Sequence, residues 1–176
     1  MSLIAKIKST VLKRKFDKKM SNFLTNRNVS EKVIQSVAIL TTDEISSKID
    51  LKELVENTLQ VRNCKTYSFR KFDKNNEASY HHFSEKDIDW KGNFIDTSFL
   101  NFIDEPFDLL LNLDDTKNKY LEYATLCSKA TFKIGFKDVN TDLFDIEILG
   151  NTTNVKEFVL EVKKYLQILK KLEIAE

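Results

Sequence analysis

Acidic side chains directly follow two apolar runs of this chain, and they are the residues best placed to do chemistry. Thr41-Thr42-Asp43-Glu44 comes after the first run, and Asp114-Asp115 comes after the second. Ligands of open parallel sheets bind beyond the carboxyl ends of the strands, so neighbouring strands would bring these carboxylates together. Oxygen ligands of this kind suit a hard divalent cation. Acidic residues after a strand are also ordinary helix caps and loop residues, which is the competing interpretation.

An aromatic side chain and a histidine pair complete the list of candidates. Trp90, in the segment DIDWKG, could stack on a ligand, although a single Trp beside a loop more often fills a core. The candidate ligand-binding set is Thr42, Asp43, Glu44, Asp114, Asp115 and Trp90. His81 and His82 are adjacent, and adjacent residues of an extended segment point to opposite sides, so they would not share a metal ion. We expect both histidines at the surface or half-buried.

Phosphate and dinucleotide sites are not predicted. The chain has only three Gly, and no G-x-G-x-x-G or P-loop pattern follows either acidic strand end. Cys64 and Cys127 match no metal or redox spacing, and we expect them to be small buried hydrophobes in a reducing compartment. These patterns therefore assign no catalytic residue, no cofactor and no metal ligand.

The stretch from Phe107 to Phe136 supplies the centre of the fold. Phe107 to Leu113 is an almost unbroken apolar run, which is typical of a strand buried on both faces. A helical stripe that begins at Tyr120 and a second β-rich run, Ala130 to Phe136, follow it. The unit is most simply a right-handed βαβ crossover. We expect Leu111 to lie in the central strand, with helices on both sides of it.

The flanking segments add strands and helices on either side of this unit. A strand is predicted over Ser36 to Thr41, and a helix that Asp50 caps comes next. A second strand over Cys64 to Phe72 has one wet face, as at a sheet edge. Residues 143–149 form a strand after a short link, so we expect it to be antiparallel to its predecessor or at the sheet edge. Asn154 is expected to cap the last helix.

Together these elements predict a three-layer, Rossmann-like α/β domain over residues 29–176, with a mostly parallel sheet of about five strands. Residues 1–28 precede it as a basic amphipathic helix. Residues 1–27 hold eight Lys and Arg and one Asp, a net +7, so the rest of the chain, with 20 basic and 26 acidic residues, carries −6. The helix either packs its second half on the body, or binds anionic lipid, or binds nucleic acid or another acidic partner.

Two resemblances rest on these segments. FDLLLNL, SKATFKIGF and EFVLEVKKYLQILKK, with the basic helix and DIDWKGNF, resemble a family of small uncharacterised bacterial proteins known only as a domain of unknown function. That likeness covers most of the chain and implies no activity. Residues 107–136 are also similar in pattern to the N-terminal, acceptor-side Rossmann-like half of heptosyltransferase-type glycosyltransferases, with Ile134-Gly135-Phe136 ending the second strand. The second likeness implies a fold.

The leading hypothesis is a non-enzymatic, cytoplasmic binding or interaction module that docks through its basic helix. Its partner would be another protein or a second copy of the chain, with a membrane surface as an alternative and nucleic acid disfavoured. The competing hypothesis is a small ligand- or divalent-metal-binding domain, or a degenerate glycosyltransferase-like enzyme, that uses the acidic strand ends.

Overall fold

The computed structural model describes residues 3–75 and 81–172, with side chains from residue 8 onward. Within these residues the chain forms six strands and six α-helices. The strands are β1 (Ser36–Thr42), β2 (Asn63–Phe69), β3 (His82–Phe83), β4 (Leu109–Leu113), β5 (Lys133–Phe136) and β6 (Ile146–Ile148). The helices are α1 (Leu3–Thr25), α2 (Asp43–Ser46), α3 (Leu51–Leu59), α4 (Thr97–Asp104), α5 (Lys119–Cys127) and α6 (Val155–Ile168).

All six strands run parallel in one sheet, in the order β3-β2-β1-β4-β5-β6. This is the strand order of the doubly wound Rossmann fold, in which the order reverses between β1 and β4. The predicted α/β architecture with a preceding helix is confirmed. The sheet has six strands instead of about five because His82 and Phe83, which were expected in an irregular connection, pair with Ser68 and Phe69.

Leu111 lies at the centre of the sheet, as predicted. β4 pairs with β1 on one side and with β5 on the other, and all five of its residues are buried. α3 and α6 cover one face of the sheet, while α4 and α5 cover the other. An almost continuous apolar run leaves no polar face to expose to water, so this strand is stable only in the interior of the sheet.

The last strand differs in part from the prediction. β6 is parallel to β5 and lies at the edge of the sheet, so the predicted edge position is confirmed and the antiparallel alternative is wrong. The link between them, residues 137–145, contains no helix. Its Phe144 ring lies over Gly135, where an added Cβ would be 2.2 Å from Phe144 Cζ. The bare glycine backbone therefore lets an aromatic ring cover sheet that a crossover helix would otherwise cover.

The two predicted helix caps of the body have different outcomes. Asp50 accepts a hydrogen bond from Glu53 N at the start of α3, as predicted. Asn154 makes no side-chain cap at the start of α6, so that prediction is wrong. The chain enters α6 through a 3₁₀ turn, Thr152–Asn154, and Asn151 caps that turn instead. The capping side chain lies upstream of the predicted position because the 3₁₀ turn, and not α6, has the first unpaired backbone amides.

α1 packs against the rest of the domain along its second half, as one of the alternatives predicted. Leu12 is buried in the core on the α5 side of the sheet, and Phe16 and Phe23 pack against the same body. Leu24, near the end of this half, is 44% exposed. The side chains of residues 3–7 lie outside the described part of the structure. In the described part of the chain, no helix combines the length and apolar character needed to cross a membrane.

Candidate functional site

A histidine–carboxylate pair lies at the carboxyl end of β1. α2 begins directly after that strand, and Asp43 is its first residue. β3 places His82 opposite Ser68 in register, so the two side chains lie on the same face of the sheet. His82 Nε2 is 2.7 Å from Asp43 Oδ1. A hydrogen bond from the ring nitrogen to the carboxylate fixes the orientation of both side chains.

Hydroxyl groups extend this pair along β2. Ser68 Oγ donates to Ser46 Oγ of α2 over 2.7 Å, and Ser68 is 2% exposed. Two residues earlier on the same face of β2, the hydroxyl oxygen of Thr66 is buried and has no hydrogen-bond partner among the described residues. A buried hydroxyl without a partner costs about 1–3 kcal/mol. A polar atom bound at this point would therefore stabilise the protein.

These side chains border an open groove of about 1080 Å³ along the outer edge of β2. One wall is the segment 43–52, which runs from α2 into α3, and the other wall is α4 with the residue that follows it. Tyr67, on the α4 side of β2, hydrogen-bonds through its hydroxyl to Ser98 Oγ. Lys65 Nζ pairs with Glu105 Oε2 at 2.6 Å on the same side. The groove thus straddles a strand edge and collects polar side chains from both faces of the sheet.

Among the described residues, β3 covers only the end of the outer edge of β2, because it is two residues long. β3 pairs with Ser68 and Phe69, whereas β2 pairs with β1 along its whole length. In the part of the chain that the structure describes, no strand lies against the outer side of residues 63–67. This half of β2 therefore forms the floor of the groove.

Burial keeps two ionisable groups of the groove floor, Cys64 and Tyr67, neutral. Burial raises the pKa of the Cys64 thiol to about 12, and the nearby Glu56 adds to the increase. The thiol is therefore protonated at neutral pH and is a poor nucleophile. Burial also raises the pKa of Tyr67 above its ordinary value. The Tyr67 hydroxyl is consequently a neutral hydrogen-bonding group.

The acidic residues after β4 do not join this site. β1 and β4 are neighbours, as the prediction required, but Asp114 is 1% exposed and accepts hydrogen bonds from Thr116 N and Asn118 N within its own loop. Asp115 accepts a hydrogen bond from Thr152 N over 2.8 Å. These two carboxylates hold loop backbone in place and do not line the groove.

Of the six residues predicted to bind a ligand, Asp43 alone lines the groove. Thr42 precedes it, and Glu44 pairs with Lys48 at 3.1 Å on the exposed side of α2. Trp90 is 72% exposed, so the expectation that it fills a core is wrong. Among the described residues, no three His, Cys, Asp or Glu side chains are grouped so that they could hold a metal ion.

The partners of Asp43 were not predicted from the sequence. A two-residue strand carries too little periodicity to be recognised, so the position of His82 beside β2 was not predicted. Asp43 and His82 are also 39 residues apart in the chain, and Ser46 and Ser68 are 22 apart. The available signal was weak: an acidic residue after β1 and a histidine in a short polar segment after β2.

Comparison with known proteins places the chain in a family. The profile of a family of unknown function (DUF6913) matches residues 8–169 of the 176. The chain belongs to this family. The DUF6913 match covers all six strands and most of α1, and it confirms the resemblance to a domain of unknown function. No curated protein and no solved structure matches the chain, so the likeness to heptosyltransferase-type glycosyltransferases remains one of sequence pattern.

Proposed function

We propose that this domain is a binding module that holds a small, uncharged, hydroxyl-rich molecule in the groove along β2. The observation that carries the proposal is the buried hydroxyl of Thr66, which lines the groove and has no partner among the described residues. A ligand hydroxyl both donates and accepts, so it can satisfy this group once the Thr66 side chain rotates to present its hydroxyl to the groove. Ligand sites commonly combine an apolar concave surface with a few fixed polar groups of this kind.

The charges of the groove favour an uncharged ligand. Its lining includes three carboxylates and three lysines: Asp43, Asp50, Glu105, Lys48, Lys52 and Lys65. Lys65 and Glu105 are directly paired at 2.6 Å, and Lys48 pairs with Glu44 at 3.1 Å. A balanced lining attracts neither anions nor cations over a distance. Selectivity then depends on hydrogen bonds from the ligand to hydroxyl, amide and carboxylate groups.

The two walls of the groove offer different contacts to such a ligand. Asp43 retains 39% exposure of its side chain, and a carboxylate accepts more hydrogen bonds than the one that His82 supplies. On the other wall the rings of Tyr67 and Phe102 lie 4.9 Å apart between centroids. A polyol could place its hydroxyl groups toward Asp43 and Thr66 and its C–H face against these rings.

Thermal unfolding in the presence of neutral monosaccharides and cyclic polyols tests the proposal. A bound compound at a hundred times its dissociation constant adds about 2.7 kcal/mol to the free energy of unfolding. Thr66→Val keeps nearly the same side-chain shape without the hydroxyl, so it should abolish the response. It should also stabilise the unliganded protein by about 1–3 kcal/mol, the cost of the unpaired hydroxyl. The matched control is Thr141→Val, an exposed threonine of the link between β5 and β6, which should respond like the unaltered chain.

Two results would contradict the proposal. A panel without any stabilising compound would remove its basis, and a response that Thr66→Val leaves unchanged would place the ligand elsewhere. The same assay with Mg²⁺ and Ca²⁺ examines the competing hypothesis. Stabilisation by a divalent cation that Asp43→Asn abolishes would favour a metal-binding site at the end of β1.

A further inference from the structure

Trp90 lies at the tip of a tightly bonded loop and is 72% exposed. Asp89 N donates to Asn93 O over 2.8 Å, and Gly92 N donates to Asp89 O over 3.1 Å. Gly92 has φ +76°, which favours glycine, and its carbonyl accepts a hydrogen bond from the buried Tyr123 hydroxyl at 2.9 Å. The loop is thus anchored to the core, and it holds a large aromatic ring in solvent at a fixed position.

α1 lies directly against this loop. A Cβ added to Gly92 would be 3.2 Å from Lys15 Cδ. Lys15 Nζ donates to Asn93 Oδ1, and Lys8 Nζ donates over 3.2 Å to the carbonyl of Glu85, in the 3₁₀ turn that precedes the loop. The basic helix and the Trp90 loop therefore form one continuous surface, which we call the Trp90–α1 surface.

The Trp90–α1 surface is basic although the chain as a whole is nearly neutral. Residues 8–25 of α1 include six Lys and Arg and one acid, Asp17, whereas residues 28–176 carry −6. Arg14 and Lys18 are exposed on the side of the helix that faces away from the core. Lys91 Nζ lies 5.1 Å from the centre of the Trp90 ring. Positive charge is thus concentrated on the helix that packs against the loop with the exposed indole.

We propose that the Trp90–α1 surface docks on an anionic lipid bilayer. Each Lys or Arg near an anionic membrane strengthens binding about fivefold, the equivalent of ~1 kcal/mol. Tryptophan prefers the headgroup level, where its ring is partly apolar and its N–H finds acceptors. Trp90 and Ile95, which is 56% exposed, supply the apolar contact that the charged outer face of α1 lacks.

The distribution of charge favours a bilayer over nucleic acid. A bilayer is met by one side of a protein. The Trp90–α1 surface, with net +5 over residues 8–25 and net −1 over residues 85–93, would meet it, and the rest of the body, residues 28–84 and 94–176 with net −5, would stay away from it. A nucleic acid is a flexible polyanion that binds through phosphate contacts spread over the protein surface. The acidic side chains outside the Trp90–α1 surface would repel it, so few phosphates could be bound. A bilayer also offers a headgroup region for the exposed indole.

Fluorescence tests this proposal directly because the chain contains a single Trp. The full chain is titrated with vesicles of phosphatidylcholine alone and with vesicles that contain about 30% phosphatidylglycerol. Only the anionic vesicles should shift the Trp90 emission to the blue, and added salt should reverse the shift because it screens the charges. Trp90→Ala removes the fluorophore, so its binding is measured by vesicle sedimentation. The substitution should weaken vesicle binding, and it should leave the fold intact because the side chain is exposed.

A pair of double variants separates the role of α1 from general positive charge. Arg14→Gln with Lys18→Gln removes two exposed cations of α1. Since each charge contributes about fivefold, vesicle binding should weaken roughly 25-fold. Lys156→Gln with Lys164→Gln removes two exposed cations of α6, on the opposite side of the sheet, and should leave binding unchanged.

Three outcomes would overturn the proposal. The first is an emission that neither vesicle changes, and the second is equal weakening by the two double variants. The third is an emission that responds to a single-stranded oligonucleotide but not to anionic vesicles, which would assign the surface to nucleic acid. Binding at the groove of β2 is measured separately by Thr66→Val, so failure of either proposal leaves the other testable.

Discussion

The two halves of the sheet have the same connectivity but end differently. In one half the chain runs β1–α3–β2 and then β3, and in the other it runs β4–α5–β5 and then β6. The two-residue β3 leaves most of the outer edge of β2 open to the groove. At the opposite edge, Phe144 packs over Gly135, and Val139 and Leu143 are buried with it. The apolar side chains of the last link therefore close the sheet at the β6 end.

The carboxylates after β1 and β4 show the same contrast. The chain needs a turn between β4 and α5, and Asp114 stabilises that turn by accepting hydrogen bonds from Thr116 N and Asn118 N. After β1 the chain enters α2 without a turn and without a side-chain cap. The Asp43 carboxylate is therefore not needed by the backbone and is available to His82. Similar acidic sequences after two strands thus give a structural residue in one half and a candidate site residue in the other.

Leu111→Ala should have the largest effect because this residue lies in the strand that joins the two halves. Its side chain is fully buried, and truncation of a buried leucine that cannot be compensated by collapse costs ~2–5 kcal/mol. That is a large share of the ~5–15 kcal/mol that stabilises an ordinary domain. Urea midpoints measure the loss. Lys163→Ala, on α6, should change stability by less than about 0.5 kcal/mol, and similar midpoints for the two variants would refute the central position of β4.

Lys133 tests how completely the second half is closed. Burial lowers the pKa of its ammonium group to about 8, against the partial compensation of Asp145, and its Nζ lies 4.8 Å from the centre of the Phe23 ring of α1. Its ordinary pKa is 10.5. Between these two values the unfolded chain binds more protons, so the free energy of unfolding should rise as pH increases from about 8 to about 10.5, by up to ~3 kcal/mol. Below about pH 8 the cost of the buried charge is constant.

The measurement for Lys133 compares urea unfolding of the unaltered chain and of Lys133→Met at about pH 7.5 and about pH 9.5. Cys64, whose raised pKa acts in the opposite direction, contributes equally to both proteins and cancels from the difference. The advantage of Lys133→Met should be greatest at the lower pH and shrink at the higher one. Parallel pH curves would show that water reaches the ammonium group beneath α1.

Gly135→Ala should break the closure of the second half. The added Cβ would meet the Phe144 ring at 2.2 Å, and forcing an extra methyl group into a packed site typically costs ~1–3 kcal/mol. Lys137→Ala is the control, since Lys137 is an exposed residue directly after β5 and its truncation should change stability by less than about 0.5 kcal/mol. Thermal unfolding should separate the two variants. Equal melting temperatures would mean that Phe144 does not cover the sheet at Gly135.

The smallest effects should distinguish the two acidic strand ends. Asp114→Ala removes the buried acceptor of two backbone amides of its own loop and should cost ~1–3 kcal/mol. Asp43→Ala removes a partly exposed pair with His82 and should cost below about 1 kcal/mol. Chemical denaturation of both variants gives the comparison. A loss at Asp43 as large as that at Asp114 would make Asp43 a structural residue and weaken its assignment to the groove.

The elements that could be predicted from the amino-acid sequence are those with local signals. The unbroken apolar run of β4 required a strand buried on both faces, and Asp50 marked the start of α3 because a cap involves only neighbouring residues. The packing of the second half of α1 on the body was one of the alternatives that the sequence left open, and the structure confirms it. These signals depend on periodicity and capping, which are complete within one turn or one strand.

Features that depend on the register between distant segments, such as the direction of β6, could be read only from the folded structure. β6 is parallel because Phe144 and its neighbours replace a crossover helix, and no local pattern in residues 137–145 specifies that packing. The pair of Asp43 with His82 joins residues 39 positions apart, and it forms only once β3 aligns with Ser68. Which acidic residue would face the groove was settled by the backbone geometry after β1, where α2 starts without a turn. Contacts of that kind arise from the packing of whole strands and helices, so a single sequence carries no periodic signal for them.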